Sequence, residues 1–236
     1  DLNNVSNGIE AAVSEKMKSE RFRTELITNV SHDIKTPLTS IINYVDLLQK
    51  EDIDNEKVRE YLDVLDRQSS RLKKLIQDLL EASKASTGSI NVELEELDAA
   101  VMLSQVAGEY KEKFEKNNLD LIIKNDVTPV MIQADGRHLW RVFDNLMNNI
   151  NKYAQPGTRV YIDIIPKESG AIITFKNVSA TPLNISSDEL KERFVRGDSS
   201  RNTEGSGLGL SIAESLMKLM NGTLELTVDG DLFKVT

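Results

Sequence analysis

The stretch VREYLDVLDRQSSRLKKLIQDLLEAS, residues 58–83, repeats an apolar or small side chain at alternating steps of four and three. The seam that results consists of Val58, Leu62, Leu65, Ser69, Leu72, Ile76, Leu79 and Ser83. Such a heptad pattern is typical of a helix that packs along one line against other helices. The stretch therefore predicts a long helix in a bundle and decides the fold of the N-terminal part of the chain.

A second apolar stripe lies upstream of this seam. It consists of Ile27, Val30, Ile34, Ile41, Val45 and Leu48, and the polar segment 49–57 separates the two. A short connection favours antiparallel neighbours, so residues 21–86 are expected to form a helical hairpin. Because one hairpin buries little apolar surface by itself, we expect two copies to form a homodimer with a four-helix bundle.

The N-terminal segment 1–20 continues the apolar stripe with Val5, Ile9, Val13 and Met17. This pattern predicts either a helical lead-in from an upstream element or an ordinary amphipathic surface helix. The chain begins at Asp1 without a methionine and ends in DLFKVT, which resembles an interrupted strand. We therefore expect a fragment of a longer protein.

The composition narrows the possible functions. The chain has 236 residues and a net charge of −9, an acidic balance that argues against a general nucleic-acid binder but not against nucleotide binding. It contains no cysteine, which excludes disulfides, thiolate metal sites and a thiol nucleophile. No apolar run approaches the roughly 20 residues of a membrane-spanning helix.

The second half of the chain mixes strand and helix patterns. Residues 87–97, which include Gly88, are expected to be a linker, and residues 98–236 a separate domain. Strands are predicted over 119–126, 159–166, 171–178 and 223–230, and helices over 98–117, 135–154 and 209–222. This order predicts an α+β sandwich, an open sheet with helices on one face.

The segment SHDIKTPLTS, residues 31–40, contains the first candidate site. His32 lies about 200° around the predicted helix from Val30 and from Ile34, so it faces away from the apolar stripe. Thr36 follows one turn later, and Asp33 could accept a proton from the imidazole or fix its tautomer. An ordinary surface histidine is the alternative interpretation of this segment.

The helix predicted over 135–154 carries a second candidate site. Asn145 and Asn149 lie one turn apart, and amide oxygens can bind Mg²⁺ beside phosphates without adding charge. Lys152 could contact phosphate, and Tyr153 could pack near a base. Asparagines that merely end a helix are the alternative.

A glycine-rich segment precedes the last predicted helix. Gly205, Gly207 and Gly209 would let backbone amides approach phosphate oxygens at a helix N-terminus. The spacing fits neither the dinucleotide fingerprint nor the P-loop. The polar segment 183–207 before the helix contains Arg193 and Arg196, and it is interpreted either as a lid that brings arginines to the terminal phosphate or as an ordinary surface loop.

The motifs SHDIKTPLTSI, NLMNNINKYA, ERFVRGD and GSGLGLSIA, in this order, resemble those of the sensor histidine kinases of two-component systems. The resemblance implies a dimerisation and histidine-phosphotransfer hairpin followed by a Bergerat-type domain that binds ATP and Mg²⁺. It also implies transfer of the phosphoryl group to the receiver domain of a response regulator. The parent protein is expected to be anchored in the membrane, with this part in the cytoplasm.

The resemblance implies a role for individual residues. His32 resembles the phosphoacceptor, Asp33 the adjacent acid, and Thr36 the residue that orients water during dephosphorylation of the regulator. Asn149 resembles the Mg²⁺ ligand. The residues implied to bind ATP are Asn145, Asn149, Lys152, Tyr153, Asn177, Arg196, Gly205, Gly207, Leu208 and Gly209.

One motif departs from the family pattern. The family carries Asp-x-Gly-x-Gly after the strand AIITF, whereas this chain has Asn177, Ser179 and Thr181 at the corresponding positions. An asparagine oxygen accepts a hydrogen bond more weakly than a carboxylate does. Two alternatives to an active autokinase therefore stay open, a regulator phosphatase with weak kinase activity and a dimeric pseudokinase scaffold.

Overall fold

The computed structural model describes residues 34–51, 55–86, 89–125, 129–183 and 207–236. The chain divides into two compact units, Asp1–Ile90 and Asn91–Thr236. The predicted lead-in over 1–20 and nearly all of the predicted lid lie outside the described residues, and so do His32, Asp33, Arg196 and Gly205.

The first unit contains two long helices. Helix α1 is described over residues 34–50, and helix α2 spans Glu56–Ser86. Asn55 caps α2, because its side-chain oxygen accepts hydrogen bonds from the backbone N–H groups of Lys57 and Val58. Gln49 near the end of α1 donates to Asp63 near the start of α2 over 3.2 Å. The two helices form the predicted hairpin.

The heptad seam divides into two sets of residues in this hairpin. Leu38 and Val45 of α1 are buried, and so are Leu62, Ser69, Ile76 and Ser83 of α2. The apolar residues that alternate with these buried positions are 40% to 49% exposed. They are Ile34, Ile41 and Leu48 of α1 and Leu65 and Leu72 of α2. Alternate seam positions therefore pack inside one hairpin, while the others leave an apolar stripe on its surface.

The second unit is built on a five-stranded sheet with the order β2-β4-β5-β7-β6. Its strands are β2 (Asp120–Asn125), β4 (Arg159–Lys167), β5 (Gly170–Val178), β6 (Leu226–Asp229) and β7 (Leu232–Val235). Strand β2 pairs with β4 in parallel, and the other pairs are antiparallel. A separate two-stranded sheet pairs β1 (Glu95–Asp98) with β3 (Met131–Ala134).

Helices α3 (Ala99–Lys116), α4 (Gly136–Tyr153) and α5 (Gly209–Leu219) complete this unit. Asp98 caps α3 by accepting from the N–H of Ala100, and Asp135 caps α4 by accepting from those of Arg137 and His138. This order of elements agrees with the predicted helical hairpin followed by an α+β sandwich.

The core of the second unit lies on one face of the sheet. Val160, Ile162 and Ile164 of β4 are buried, and the Phe175 ring of β5 lies 5.9 Å from the Phe143 ring of α4. The alternate residues of β4 face the other side, where a groove of about 430 Å³ is lined by charged and aromatic side chains such as Lys124, Arg159 and Tyr161. The prediction of helices on one face of an open sheet agrees with this burial pattern.

Two predictions need correction. The sequence patterns did not predict β1 and β3. Residues 95–97 were expected to belong to the linker 87–97, but Glu95–Asp98 form a strand. Each strand has four residues, and the two glutamates of β1 are exposed, so neither shows the apolar alternation that identifies a strand. The predicted strand over 223–230 is also shorter, because β6 begins at Leu226.

Candidate functional site

Helix α4 presents a polar face beside its buried face. The buried face consists of Leu139, Val142, Phe143, Leu146, Met147 and Ile150. Asn145, Asn149 and Lys152 lie on an adjacent stripe and are partly exposed. The helical repeat thus places the three predicted ligand residues side by side at the edge of the core, where a bound molecule can reach them.

Asn145 contains a buried donor without a partner. Its Nδ2 atom is inaccessible to solvent and makes no hydrogen bond to any described residue. A buried donor without an acceptor costs free energy comparable to a lost hydrogen bond, so native structures rarely contain one. The amide of Asn145 is therefore suited to a ligand that supplies an acceptor, such as a phosphate oxygen.

The start of α5 lies against this amide. A Cβ atom added to Gly209 would lie 3.5 Å from Oδ1 of Asn145, so a larger side chain there would enter the space beside Asn145. Gly207 has a φ of +70°, a conformation that side chains other than glycine rarely adopt. Gly207 therefore has a backbone conformation that favours glycine, and Gly209 lies close to Asn145.

The N-cap residue of α5 is Leu208, whose side chain has no polar atom. The N-cap residue Leu208 makes no side-chain hydrogen bond to the first turn, and Leu208 itself is buried. The carbonyl of Leu208 accepts from the Ser211 hydroxyl over 2.9 Å. The N-terminus of α5 lies beside Asn145, and a helix N-terminus suits an anionic ligand.

The C-terminal end of α4 is joined to the end of β5. Ala154 forms a β-bridge with Ser179, and Ala180 N–H donates to the Tyr153 carbonyl over 2.8 Å. These contacts bring Tyr153 close to the strand end that carries Asn177. The structure thus places Tyr153 near the end of β5 and the start of α5 beside Asn145.

Asn177 is buried, and its amide has a defined orientation. Its Nδ2 atom donates to the Val178 carbonyl over 3.2 Å, which leaves Oδ1 as the acceptor for a ligand donor. The Ser179 hydroxyl donates to the Thr181 carbonyl over 2.7 Å and accepts from the Thr181 N–H. The two residues that replace the family's glycines therefore close a compact polar turn.

Thr36 is the predicted hairpin residue that the structure describes. It is exposed on α1, and its carbonyl accepts a hydrogen bond from Ser40 over 3.4 Å. His32 and Asp33 precede the described part of α1. Their assignment therefore remains a prediction from the sequence.

Sequence reasoning missed two polar contacts that join α3 to α4. Tyr110 donates from its hydroxyl to Oδ1 of Asp144 over 2.6 Å, and Asn117 donates to the carbonyl and Oδ1 of Asn151, each over 2.9 Å. Burial, followed by the hydrogen bond to Asp144, raises the pKa of Tyr110 far above its ordinary value. No local pattern marks these residues, because the partners lie 34 positions apart.

The residues present are compatible with Mg²⁺ bound together with phosphates. Within the described ranges, no three His, Cys, Asp or Glu side chains are grouped as a metal site. Mg²⁺ held mostly by water and phosphate needs few protein ligands, so the Asn149 amide beside the unpaired donor of Asn145 fits this group. Among the helices described, none is long and apolar enough to span a membrane.

Two family comparisons cover most of the chain. Residues 22–88 match the His Kinase A (phospho-acceptor) domain, and residues 134–236 match the histidine kinase-, DNA gyrase B- and HSP90-like ATPase family. A helical phosphoacceptor hairpin joined to an ATPase of this type defines the core of a protein histidine kinase. The chain belongs to the sensor histidine kinases, which confirms the resemblance and the enzyme class inferred from the sequence.

Relatives and solved structures agree with this assignment. The chain is 31% identical over 210 residues to the sensor protein VanSC of Enterococcus gallinarum, covering 88% of this chain and 58% of the relative. It is 30% identical over 224 residues to the sensor protein GtcS of Aneurinibacillus migulanus, covering 93% and 60%. The chain thus spans about three fifths of the length of these relatives.

A crystal structure shows the same fold. Full-length ShkA in complex with AMPPNP superimposes with a TM-score of 0.75 at 22% identity, covering 89% of this chain and 45% of ShkA. At this level of identity, the likeness supports the fold alone. The fold assignment therefore rests on structure as well as on sequence.

Proposed function

We propose that this chain phosphorylates itself on His32 with Mg-ATP and passes the phosphoryl group to an aspartate of a response regulator. The observation that supports this most directly is the buried Nδ2 of Asn145, which has no hydrogen-bond partner among the described residues and lies close to the start of α5. This arrangement has donors for phosphate in a histidine kinase fold. ShkA, which shares the fold, was solved with AMPPNP.

Different residues of the second unit are proposed to bind the metal ion and the phosphates. Asn149 would hold Mg²⁺ through its amide oxygen, while Asn145 and the backbone from Gly207 to Gly209 donate to phosphate oxygens. Mg²⁺, when bound, offsets the negative charge that the phosphates carry. Lys152, Arg196, Gly205 and Leu208 are assigned to the same site from the motifs that contain them.

The base of the nucleotide is assigned to the other end of the site. Tyr153 would contact the base or the sugar, and Oδ1 of Asn177 would accept from the adenine amino group. The bond from Asn177 to the Val178 carbonyl supports this role, since it directs the acceptor oxygen away from that carbonyl.

The transfer step is assigned to the hairpin. Asp33 accepts the imidazole proton, and a nitrogen of His32 attacks the γ-phosphorus. The new P–N bond forms as the bond to the bridging oxygen breaks, and ADP departs with that electron pair. When the hairpin acts as a phosphatase, Thr36 would orient the water molecule that hydrolyses the phosphorylated aspartate of the regulator. The exposure of Thr36 supports its access to a partner.

The proposal includes a homodimer and a membrane-bound parent protein. The exposed seam residues of α1 and α2, such as Ile41 and Leu72, support dimerisation because a second hairpin would cover them. Placement of this part at the cytoplasmic side of a membrane is proposed from the family resemblance alone.

The direct test is incubation of the chain with γ-labelled ATP and Mg²⁺, followed by acid and base treatment of the product. We expect label that is stable to base and labile to acid, and its loss in His32→Ala while Mg-ATP still binds. Acid-labile label that persists in His32→Ala would contradict the assignment of the phosphoacceptor.

A regulator phosphatase with weak kinase activity is the second candidate. The polar turn formed by Ser179 and Thr181, where the family has glycines, favours it because this backbone is more constrained beside the nucleotide. Bound Mg-ATP without His32 labelling, together with hydrolysis of a phosphorylated regulator that Thr36→Ala abolishes, would support this candidate. Complete absence of Mg-ATP binding would support a pseudokinase scaffold.

A further inference from the structure

Two hydrogen-bonded contacts hold α4 against α3, and we call them the α3–α4 clamp. The first is the bond from the Tyr110 hydroxyl to the Asp144 carboxylate, and the second is the bond from the Asn117 amide to Asn151. Tyr110 is almost fully buried, at 3% exposure. Its hydroxyl also lies 3.2 Å from the Asp144 carbonyl, so the contact involves both the side chain and the backbone of α4.

The clamp residues occupy a separate stripe of α4. Asp144 and Asn151 are two turns apart and therefore lie on nearly the same line along the helix. Asn145, Asn149 and Lys152 lie about 100° further around the axis, on the far side of Asp144 from the core residue Met147. A rotation of α4 about its axis would break the clamp and would move the ligand-bearing stripe at the same time.

The buried apolar face of α4 does not by itself fix the rotational position of this helix about its axis. Apolar contacts have no preferred direction, and a helix can turn slightly on an apolar core with little change in buried area. Hydrogen bonds weaken steeply as their angle departs from linearity, so two of them separated by two turns restrict rotation and sliding. The clamp therefore supplies the directional contacts that the core lacks.

The chemistry of Tyr110 makes the first contact persistent. Burial, followed by the hydrogen bond to Asp144, raises the pKa of its hydroxyl, which favours the protonated form that donates to Asp144. Nη1 of Arg141 lies 3.5 Å from Oδ2 of the same carboxylate. A hydrogen bond to a charged acceptor is stronger than one between neutral groups.

We propose that Tyr110 and Asn117 are positioning residues that set the rotation of α4 and thereby place Asn145 and Asn149 for Mg-ATP. The proposal rests on the nucleotide site described under the proposed function. It assigns to α3, which contributes no ligand residue, control over the geometry of the metal and phosphate contacts.

The test compares Tyr110→Phe with Val106→Ala in the full chain. Tyr110→Phe removes the hydroxyl and leaves the ring, whereas Val106→Ala opens a small gap at another buried position of α3 and leaves the clamp intact. We expect Tyr110→Phe to raise the Kd for Mg-ATP in calorimetry by about three- to tenfold, and Val106→Ala to leave it within about twofold.

A second readout uses the nucleotide-free chain. The side-chain amide signals of Asn145 and Asn149 in ¹H–¹⁵N spectra should shift in Tyr110→Phe and in Asn117→Ala, but not in Val106→Ala. Asp144→Asn keeps an oxygen acceptor for Tyr110 and should retain most of the affinity, whereas Asp144→Ala should behave as Tyr110→Phe does. The double variant Tyr110→Phe/Asp144→Ala should add little to either single change.

The outcomes separate this proposal from the proposed function. If the unaltered chain binds no Mg-ATP, the proposed function fails, and the amide signals still decide whether the clamp positions the asparagines. If Tyr110→Phe and Val106→Ala change affinity and amide signals equally, the clamp is structural only and the proposal is overturned. If Tyr110→Phe does not fold, Asn117→Ala with the same control decides the question.

Discussion

At the scale of single residues, asparagine side chains account for most of the candidate site. Asn145 contributes a donor without a partner among the described residues, and Asn177 contributes an acceptor whose direction is set by the bond from its Nδ2 to the Val178 carbonyl. The Asn145 amide offers its Nδ2 as a donor, and the Asn177 amide offers its Oδ1 as an acceptor. Together they suit a ligand that has both acceptors and donors. Neither contact pattern could be predicted from the sequence, which identifies an amide but not its orientation.

Asn149→Ala is expected to weaken Mg-ATP binding by about tenfold or more, because the metal loses its protein oxygen ligand. Calorimetry in the presence and absence of Mg²⁺ measures the change. Binding of ATP without Mg²⁺ should change far less. An unaltered affinity for Mg-ATP would contradict the metal role.

Asn177→Asp is expected to tighten Mg-ATP binding by about two- to fivefold, since a carboxylate accepts from an amino group more strongly than an amide does. The same change should lower the thermal stability of the ligand-free chain, because the new carboxylate would face the Val178 carbonyl that now accepts from Nδ2. Calorimetry and thermal unfolding measure the two effects.

The control for this substitution is Asn177→Ala, which removes both the acceptor and the donor. It should weaken binding. Equal affinity in all three proteins would show that Asn177 does not contact the base.

At the scale of elements, α4 connects the stability of the second unit to its candidate site. The buried Asp135 caps the helix and also accepts from the N–H of Glu93, so it ties the segment before β1 to α4. Burial alone would raise the pKa of Asp135, but the hydrogen bonds from Glu93 and His138 and the charges of His138 and Arg137 give a net lowering. The folded unit therefore favours the ionised form.

The lowered pKa of Asp135 predicts a loss of stability in acid. A depressed pKa stabilises the folded state above the ordinary value of 3.8, and this contribution disappears as the pH falls through the lower pKa of the folded state. Urea unfolding between about pH 3 and 6, followed through the single tryptophan, Trp140 of α4, measures it. Asp135→Asn keeps the cap and should flatten the pH dependence below about pH 4.

The two hairpin helices carry a prediction about the dimer. Leu72→Asp places a charge on the exposed seam, where each leucine covered by a partner would contribute about 1.5–3 kcal/mol. We expect the variant to sediment as a monomer at concentrations at which the unaltered chain is a dimer.

Ser70→Asp is the matched control, because Ser70 is exposed on α2 and lies about 160° around the helix from Leu72. It should leave the dimer intact. If Leu72→Asp and Ser70→Asp sediment alike, the exposed seam is not the dimer interface.

At the scale of the whole molecule, the sequence predicted the elements that have strong periodic patterns. The heptad of α2, the apolar runs of β4 and β5 and the glycines before α5 each identified their element. The short strands β1 and β3 have no such pattern, since their stability comes from pairing with each other. The clamp between Tyr110 and Asp144 was missed because a contact between distant residues depends on how α3 and α4 pack.

The alternating burial of the seam has a consequence for how the protein responds to dilution. A surface that is covered only by a second copy links the free energy of unfolding of the hairpin to protein concentration through mass action. The second unit has its own core around Val160 and Phe143, so its unfolding midpoint should not depend on concentration. The concentration of the protein in the cell would then influence the stability of the hairpin, while the stability of the second unit would not change with concentration.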